Sequence, residues 1–225
     1  MTQEVIQTIA ATIHGRYVVH IPKGTGPFPL LLSFHGYGEN AAIHLEQLER
    51  IPGNHQWIVA SVQALHPFYN IKSGQVVASW MTKQDRELAI QDNIQYVYNV
   101  TTEIKQACNV GNCLVYAGFS QGVAMAYRAA AYAQHACHGC LLLGGDLPPE
   151  VGTDPSVTLP PVLLGRGRKD EWYTQDKMET DLTLLLSKAN SVRTLVFQGG
   201  HEWTKEFLEA AGTFLQEVRS TTQTP

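Results

Sequence analysis

No stretch of this 225-residue sequence is apolar for long enough to cross a bilayer; the longest runs fall well short of the ~20 residues required. The N-terminal M-T-Q-E-V-I-Q-T-I-A has neither the basic region nor the apolar core of an export signal, so a cytoplasmic location and no stable membrane insertion are expected. No block of like charge is present, and the net charge is only −4. That balance gives no reason to expect nucleic acid or an anionic membrane as partner. Four cysteines are too few for a disulfide scaffold in a chain of this length. Cys137-His138-Gly139-Cys140 has C-x-x-C spacing, with His135 nearby. A zinc site would need a second pair, and a thioredoxin-like motif would open a helix. This segment instead runs into Leu141-Leu142-Leu143, so buried structural cysteines and no metal are the expectation. No P-loop occurs, and no G-x-G-x-x-G follows the first long apolar run. Repeats and low-complexity linkers are absent too, so residues 1–225 read as one domain.

What is present is alternation. Residues 4–21 alternate in Ile, Val and Thr and break at His14-Gly15, which predicts two antiparallel strands. Continuous apolar runs at 27–34, 57–62, 112–118, 140–144, 161–165 and 192–197 suit strands buried on both faces. Helical stretches at 40–51, 85–108, 123–133, 174–189 and 202–218 separate them, with Asn40 a cap and Pro52-Gly53 a stop. Residues 63–78 read as a loop and 220–225 as a loose tail. The pattern predicts an α/β fold: a mostly parallel sheet with an N-terminal antiparallel hairpin, helices on both faces and no lid domain.

Gly118-Phe119-Ser120-Gln121-Gly122 stands at one strand–helix junction. Chance placement of the 19 glycines and nine serines yields roughly 0.06 such G-x-S-x-G pentapeptides, so the motif carries weight once its flanks are a strand and a helix. A serine there sits on a sharp turn, with its hydroxyl above the sheet at a helix N-terminus. A serine becomes a nucleophile only with a base, and the base needs an orienting carboxylate. On this type of sheet the order is Ser, then Asp or Glu, then His. His201 is the only histidine after His138, and it follows a predicted strand on a Gly199-Gly200 turn. Asp170 follows the preceding strand and is the preferred acid; Asp146, one strand earlier, is the alternative. The neighbouring Arg166, Arg168 and Lys169 read as solvated loop charges. Oxyanion donors are sought in the Gln121 amide and in the His35-Gly36-Tyr37-Gly38 loop, where the Tyr37 amide is the candidate. Trp80, Leu147, Trp172 and Trp203 are candidates to line an apolar substrate pocket.

In that order of motifs the chain resembles α/β-hydrolases of the phospholipase/carboxylesterase family, which includes acyl-protein thioesterases. The resemblance rests on the His35-Gly36 loop, Ser79-Trp80, Gly118 to Gly122, Gly144-Gly145, the Gly165 strand with Asp170, and Gly199-Gly200-His201-Glu202. It implies a Ser120–Asp170–His201 triad with oxyanion donors at Tyr37 and Gln121. Val123 stands where the family usually has a second glycine, Tyr37 stands where it often has leucine or another small apolar residue, and Asp146-Leu147-Pro148-Pro149 is individual. The expected activity is hydrolysis of small or medium acyl esters through an acyl-enzyme, with a small-molecule ester as partner and no cofactor. Alternatives are an acyl-thioesterase or lysophospholipase for longer chains, acyl transfer to another acceptor, and a non-catalytic ligand-binding relative. The sequence assigns no oligomeric state.

Overall fold

A computed structural model of the chain describes residues 2–222. Seven strands form one sheet: β1 (Arg16–His20), β2 (Phe28–Phe34), β3 (Ile58–Gln63), β6 (Val110–Phe119), β7 (Gly139–Leu143), β8 (Val162–Gly167) and β9 (Val192–Phe197). The short strands β4 (His66–Tyr69) and β5 (Val76–Ser79) pair with each other as a hairpin outside it. The helices are α1 (Ala41–Leu48), α2 (Arg86–Ala107), α3 (Gln121–Tyr132), α4 (Pro149–Thr153), α5 (Gln175–Leu185) and α6 (Lys205–Thr222). The large sheet runs β1-β3-β2-β6-β7-β8-β9, and every pairing is parallel except β1 with β3.

Continuous apolar strands fit this sheet because both faces are covered. Leu30, Leu32 and Phe34 of β2 pack with Val97 of α2, Met125 of α3 and Leu185 of α5. Leu31, the residue between, packs on the other face with Leu45 of α1 and Phe207 and Leu215 of α6. The strand period of two thus feeds two separate cores. From β2 the chain steps outward to β3, and later returns to place β6 on the other side of β2. The loops that leave β2 and β6 therefore diverge in opposite directions and open a crevice at the strands' carboxyl ends.

Several elements depart from expectation. Residues 4–13 form no strand; β1 alone makes the antiparallel edge, and its partner is β3. Among the described residues the outer edge of β1 stays unpaired, and Val5, Ile6, Ile9 and Ile13 are all more than half exposed, so the segment's alternation has no buried face to hold it there. The expected 63–78 loop contains the β4–β5 hairpin. Helix α6 begins at Lys205 rather than Glu202, because Trp203 turns into the core and Thr204 Oγ1 accepts the Phe207 N–H. It also runs through Ser220 to Thr222, where a loose tail was expected; residues 223–225 of that expectation lie outside the described residues. Asn40 does cap α1, its side chain accepting from Ile43 N at 2.9 Å.

Candidate active site

Ser120 alone turns the corner between β6 and α3. Its backbone sits at φ 54°, ψ −120°, a region a residue with a Cβ occupies only under constraint. The flanking glycines permit the constraint. A Cβ on Gly122 would lie 2.0 Å from the carbonyl oxygen of Phe34, and one on Gly118 would lie 2.4 Å from that of Gly122. The backbones touch because no side chain intervenes. Ser120 N–H is fixed by Leu143 O at 2.9 Å.

His201 follows β9, and its Nδ1 lies 2.8 Å from Asp170 Oδ2 in the loop after β8. Asp170 is buried, and its Oδ1 accepts the backbone N–H groups of Trp172 and Tyr173, each at 2.9 Å. The carboxylate is held in one orientation, so Nδ1–H of His201 donates to it and Nε2 is left basic. The imidazole packs on Phe119 with ring centroids 4.8 Å apart. Gly144, at φ 68°, clears the space: a Cβ there would come within 3.0 Å of His201 Cε1 and 3.3 Å of Asp170 Oδ2. Asp146 lies elsewhere, exposed and paired with Lys177 at 3.2 Å.

The loop after β2 is held by buried polar groups. His35 Nε2 accepts the Ala64 N–H at 3.0 Å, which fixes the neutral tautomer whose Nδ1–H donates to Gly36 O at 2.7 Å. Burial pulls its pKa down to about 4, so the ring is neutral near pH 7. Within the loop, Gly36 N–H donates to Glu39 Oε2, Gly38 N–H to Ala78 O and Glu39 N–H to Gly36 O. The Tyr37 amide between them has no protein acceptor among the described residues. The Gln121 amide opens α3, so it is one of the helix-end donors with no intrahelical acceptor. The Gln121 side chain ties this corner to the strand β5 exit, accepting from Trp80 N at 2.9 Å and donating to Met81 O at 3.0 Å.

These groups border a cleft of about 780 Å³ lined by Tyr37, Ser120, Gln121 and His201 on one side and by Leu147, Pro148, Pro149 and Trp172 on another. A model of the phospholipase/carboxylesterase family matches residues 18–219. The chain belongs to this family. Solved structures similar to it include a carboxylesterase of Bacillus cereus (20% identity over 91% of this chain and 94% of that one, TM-score 0.67). A carboxylesterase of Mesorhizobium loti aligns at 17% identity over 90% and 94%, with TM-score 0.74. Acyl-protein thioesterase 2 of Zea mays aligns at 19% over 91% and 99%, with TM-score 0.70. At these identities the likeness is one of fold. No curated protein matches the chain significantly by sequence.

Within this α/β-hydrolase frame, two of the four expected pocket residues are elsewhere. Trp80 is fully buried, packed edge-on to Phe34, with Nε1 donating to His35 O at 2.9 Å. It supports the loop after β2 from behind. Trp203 is buried against Phe119, Phe207 and His44. Leu147 and Trp172 do line the cleft. Arg166, expected in solvent, is buried at the end of β8; Arg168 and Lys169 are exposed. Cys137 and Cys140 are free thiols, and the described residues contain no group of three or more His, Cys, Asp or Glu arranged to hold a metal.

The sequence reading missed the charged part of the lining: Arg86, Arg128 and Lys177, together with Met81. One signal was available for Arg128. It is the single charge in the alanine-rich run after Ser120, a position where a charge is placed for contact with something.

Proposed function

We propose that this hydrolase-family chain is a serine-dependent carboxylic ester hydrolase working through an acyl-enzyme on Ser120. The observation that carries the reading is the 2.8 Å Asp170–His201 contact at the rim of the cleft that Ser120 enters from a strained turn. In this reading His201 Nε2 takes the Ser120 proton as Oγ attacks the ester carbonyl. Asp170 keeps Nδ1–H in place and stabilises the imidazolium. The amides of Gln121 and Tyr37 receive the oxyanion. His201 then protonates the leaving alcohol, and water releases the acid with the same roles reversed. The reading takes a small-molecule ester as substrate and requires no cofactor.

The test is p-nitrophenyl ester hydrolysis across acyl lengths by wild type, Ser120→Ala, Asp170→Asn and Asp146→Asn proteins of matched folded content. Ser120→Ala is expected to lose ~10⁴-fold or more in kcat, and Asp170→Asn ~10³–10⁴-fold. Asp146→Asn is expected to stay within a few-fold. Full activity of Ser120→Ala would remove the assignment; a larger loss at Asp146 would move the acid. A second reading, hydrolysis of longer acyl thioesters or lysophospholipids, draws support from the apolar Leu147, Pro148 and Pro149 in the lining and from the maize neighbour's description as an acyl-protein thioesterase. A rate maximum at long rather than short acyl chains would favour it.

A further inference from the structure

The cleft is not a plain apolar slot. Its lining holds three cations, Arg86, Arg128 and Lys177, and one carboxylate, Asp146. Lys177 is spoken for: Nζ pairs with Asp146 at 3.2 Å and donates to Trp172 O at 2.9 Å. The two arginines share a single carboxylate behind the wall. Glu150 Oε1 takes Arg128 at 2.6–2.7 Å, while its Oε2 takes Arg86 Nη2 at 3.3 Å. Among the described residues the one other carboxylate within 4 Å of the Arg86 guanidinium is Glu87 at 3.8 Å, 86% exposed and outside the lining. Arg128 is 2% exposed, and among the described residues its Nη1 finds only the sulphurs of Met81 and Met125, at 3.9 and 3.8 Å. Thioether sulphur is a weak acceptor. A desolvated guanidinium with one nitrogen facing sulphur, beside a second guanidinium that is partly open, leaves strong donors short of oxygen acceptors.

The arrangement also has a fixed distance from the chemistry. Gln121, Ala124 and Arg128 lie along one face of α3 and all line the cleft. Arg128 lies eight positions after Ser120, the residue that caps α3, a rise of about 12 Å along the helix axis. Resting on the esterase reading of Ser120, we propose that the cleft selects esters carrying a carboxylate at the end remote from the reacting carbonyl, bound by Arg86 and Arg128. Half-esters of dicarboxylic acids are the simplest members of that class. Arg86 presents the more open guanidinium to that carboxylate, and Arg128, whose Nε and Nη2 already hold Glu150, offers Nη1 as a charge-assisted donor.

The experiment measures binding apart from turnover. Ser120→Ala protein is titrated calorimetrically with the monomethyl esters of succinate, adipate, suberate and sebacate, and with neutral methyl esters of the same chain lengths. At one or more lengths the carboxylate is expected to tighten binding about tenfold or more. That gain should shrink at high salt. Arg86→Gln should remove most of it, and Arg128→Lys, which keeps a positive charge but removes Nη1, should weaken it. Lys177→Gln should reduce it less, because that charge is already matched. Lys205→Gln, exposed on α6, should leave it intact. Equal affinity for charged and neutral esters at every length, or a preference that survives Arg86→Gln and Arg128→Lys together, overturns the proposal. Wild-type turnover is measured alongside. Serine-dependent hydrolysis without charge preference would leave the esterase reading standing and sink this one. Charge-selective binding without turnover would do the reverse.

Discussion

The two walls of the cleft are built in different ways. The wall formed by the loop after β2 and the Ser120 turn is a backbone construction. Its tolerances are set by Gly118, Gly122 and Gly145, where an added Cβ would meet backbone oxygen at 2.0–2.4 Å. Its polar groups, His35 and the Gly36, Gly38 and Glu39 amides, are satisfied internally, and among the described residues only the Tyr37 amide of this loop is left without a protein acceptor. The opposite wall, Asp146 to Pro149 with Trp172, Lys177 and Arg86, is a side-chain construction. It contains exposed residues, ion pairs and one buried anchor, Asp181, which accepts Leu147 N–H and Tyr173 O–H at 2.9 Å. The first wall holds atoms where charge would develop; the second can change its side chains without moving the first. On the proposed reading, reaction type and substrate choice are separated in space.

The largest test of that contrast is Gly122→Ala. The new methyl would sit 2.0 Å from Phe34 O, a backbone atom of a central strand that cannot swing aside. A loss of about 4 kcal/mol or more in stability is expected, with activity falling at least as far as in Ser120→Ala. Denaturant unfolding and ester turnover would check it. A stable, active Gly122→Ala protein would mean that the wall is not fixed by backbone contact.

Next in size is the acid response of His35. Its folded pKa of about 4 lies below the ordinary 6.5, through burial. Between those values the unfolded chain binds more protons, so stability is full above pH 6.5 and falls as pH drops toward 4. Protonation also puts a donor on Nε2, where the Ala64 N–H already points. Thermal unfolding of wild type should lose on the order of 2 kcal/mol across that window, and His35→Gln should be less stable at pH 7 yet flatter with pH. Asp181, on the other wall, has the opposite sign. Burial raises its pKa from 3.8 to about 6, so its contribution is fully present below pH 3.8 and is lost as pH rises through 6. An amide oxygen can accept the same two hydrogen bonds. Asp181→Asn should therefore raise stability at pH 7–8 by on the order of 1 kcal/mol, seen as a higher melting point, and have little effect near pH 4. Equal shifts at both pH values would show that the carboxylate is not the titrating group.

The same division explains what could be read from sequence. Backbone-built features leave short, local signatures: the G-x-S-x-G turn, the Gly144-Gly145 pair and the strand–loop positions of Asp170 and His201 are all legible as spacing. The parallel sheet is legible too, because strands buried on both faces read as unbroken apolar runs. Side-chain placement is decided by tertiary packing and leaves no such trace. Trp80 and Trp172 look alike in sequence, each an aromatic in a loop near a motif. One is sealed beneath the loop after β2 by its bond to His35 O; the other is 75% exposed at the cleft. Residues 4–13 have the alternation of a strand, yet they form none and stay exposed, although β1 is the edge strand of the sheet; alternation without a buried face to pack on is not enough. Arg166 sits among loop-like charges in sequence, yet the β8 register carries it inside.

Trp172 supplies the finest cut between the walls. Its backbone is committed to the catalytic side: N–H donates to Asp170 Oδ1, and O accepts from Lys177 Nζ at 2.9 Å. Its side chain is committed to the cleft and otherwise to solvent. Truncation to alanine keeps both backbone bonds and removes only the indole. Trp172→Ala should therefore change stability by no more than about 0.5 kcal/mol, as expected of an exposed site. KM for apolar acyl esters should rise several-fold with kcat nearly unchanged, the pattern of lost binding common to ground and transition states. Steady-state kinetics over an acyl-length series would show it. A matching fall in kcat would mean that the indole steadies Asp170 as well as the substrate, and the two walls would then be one mechanical unit at this residue.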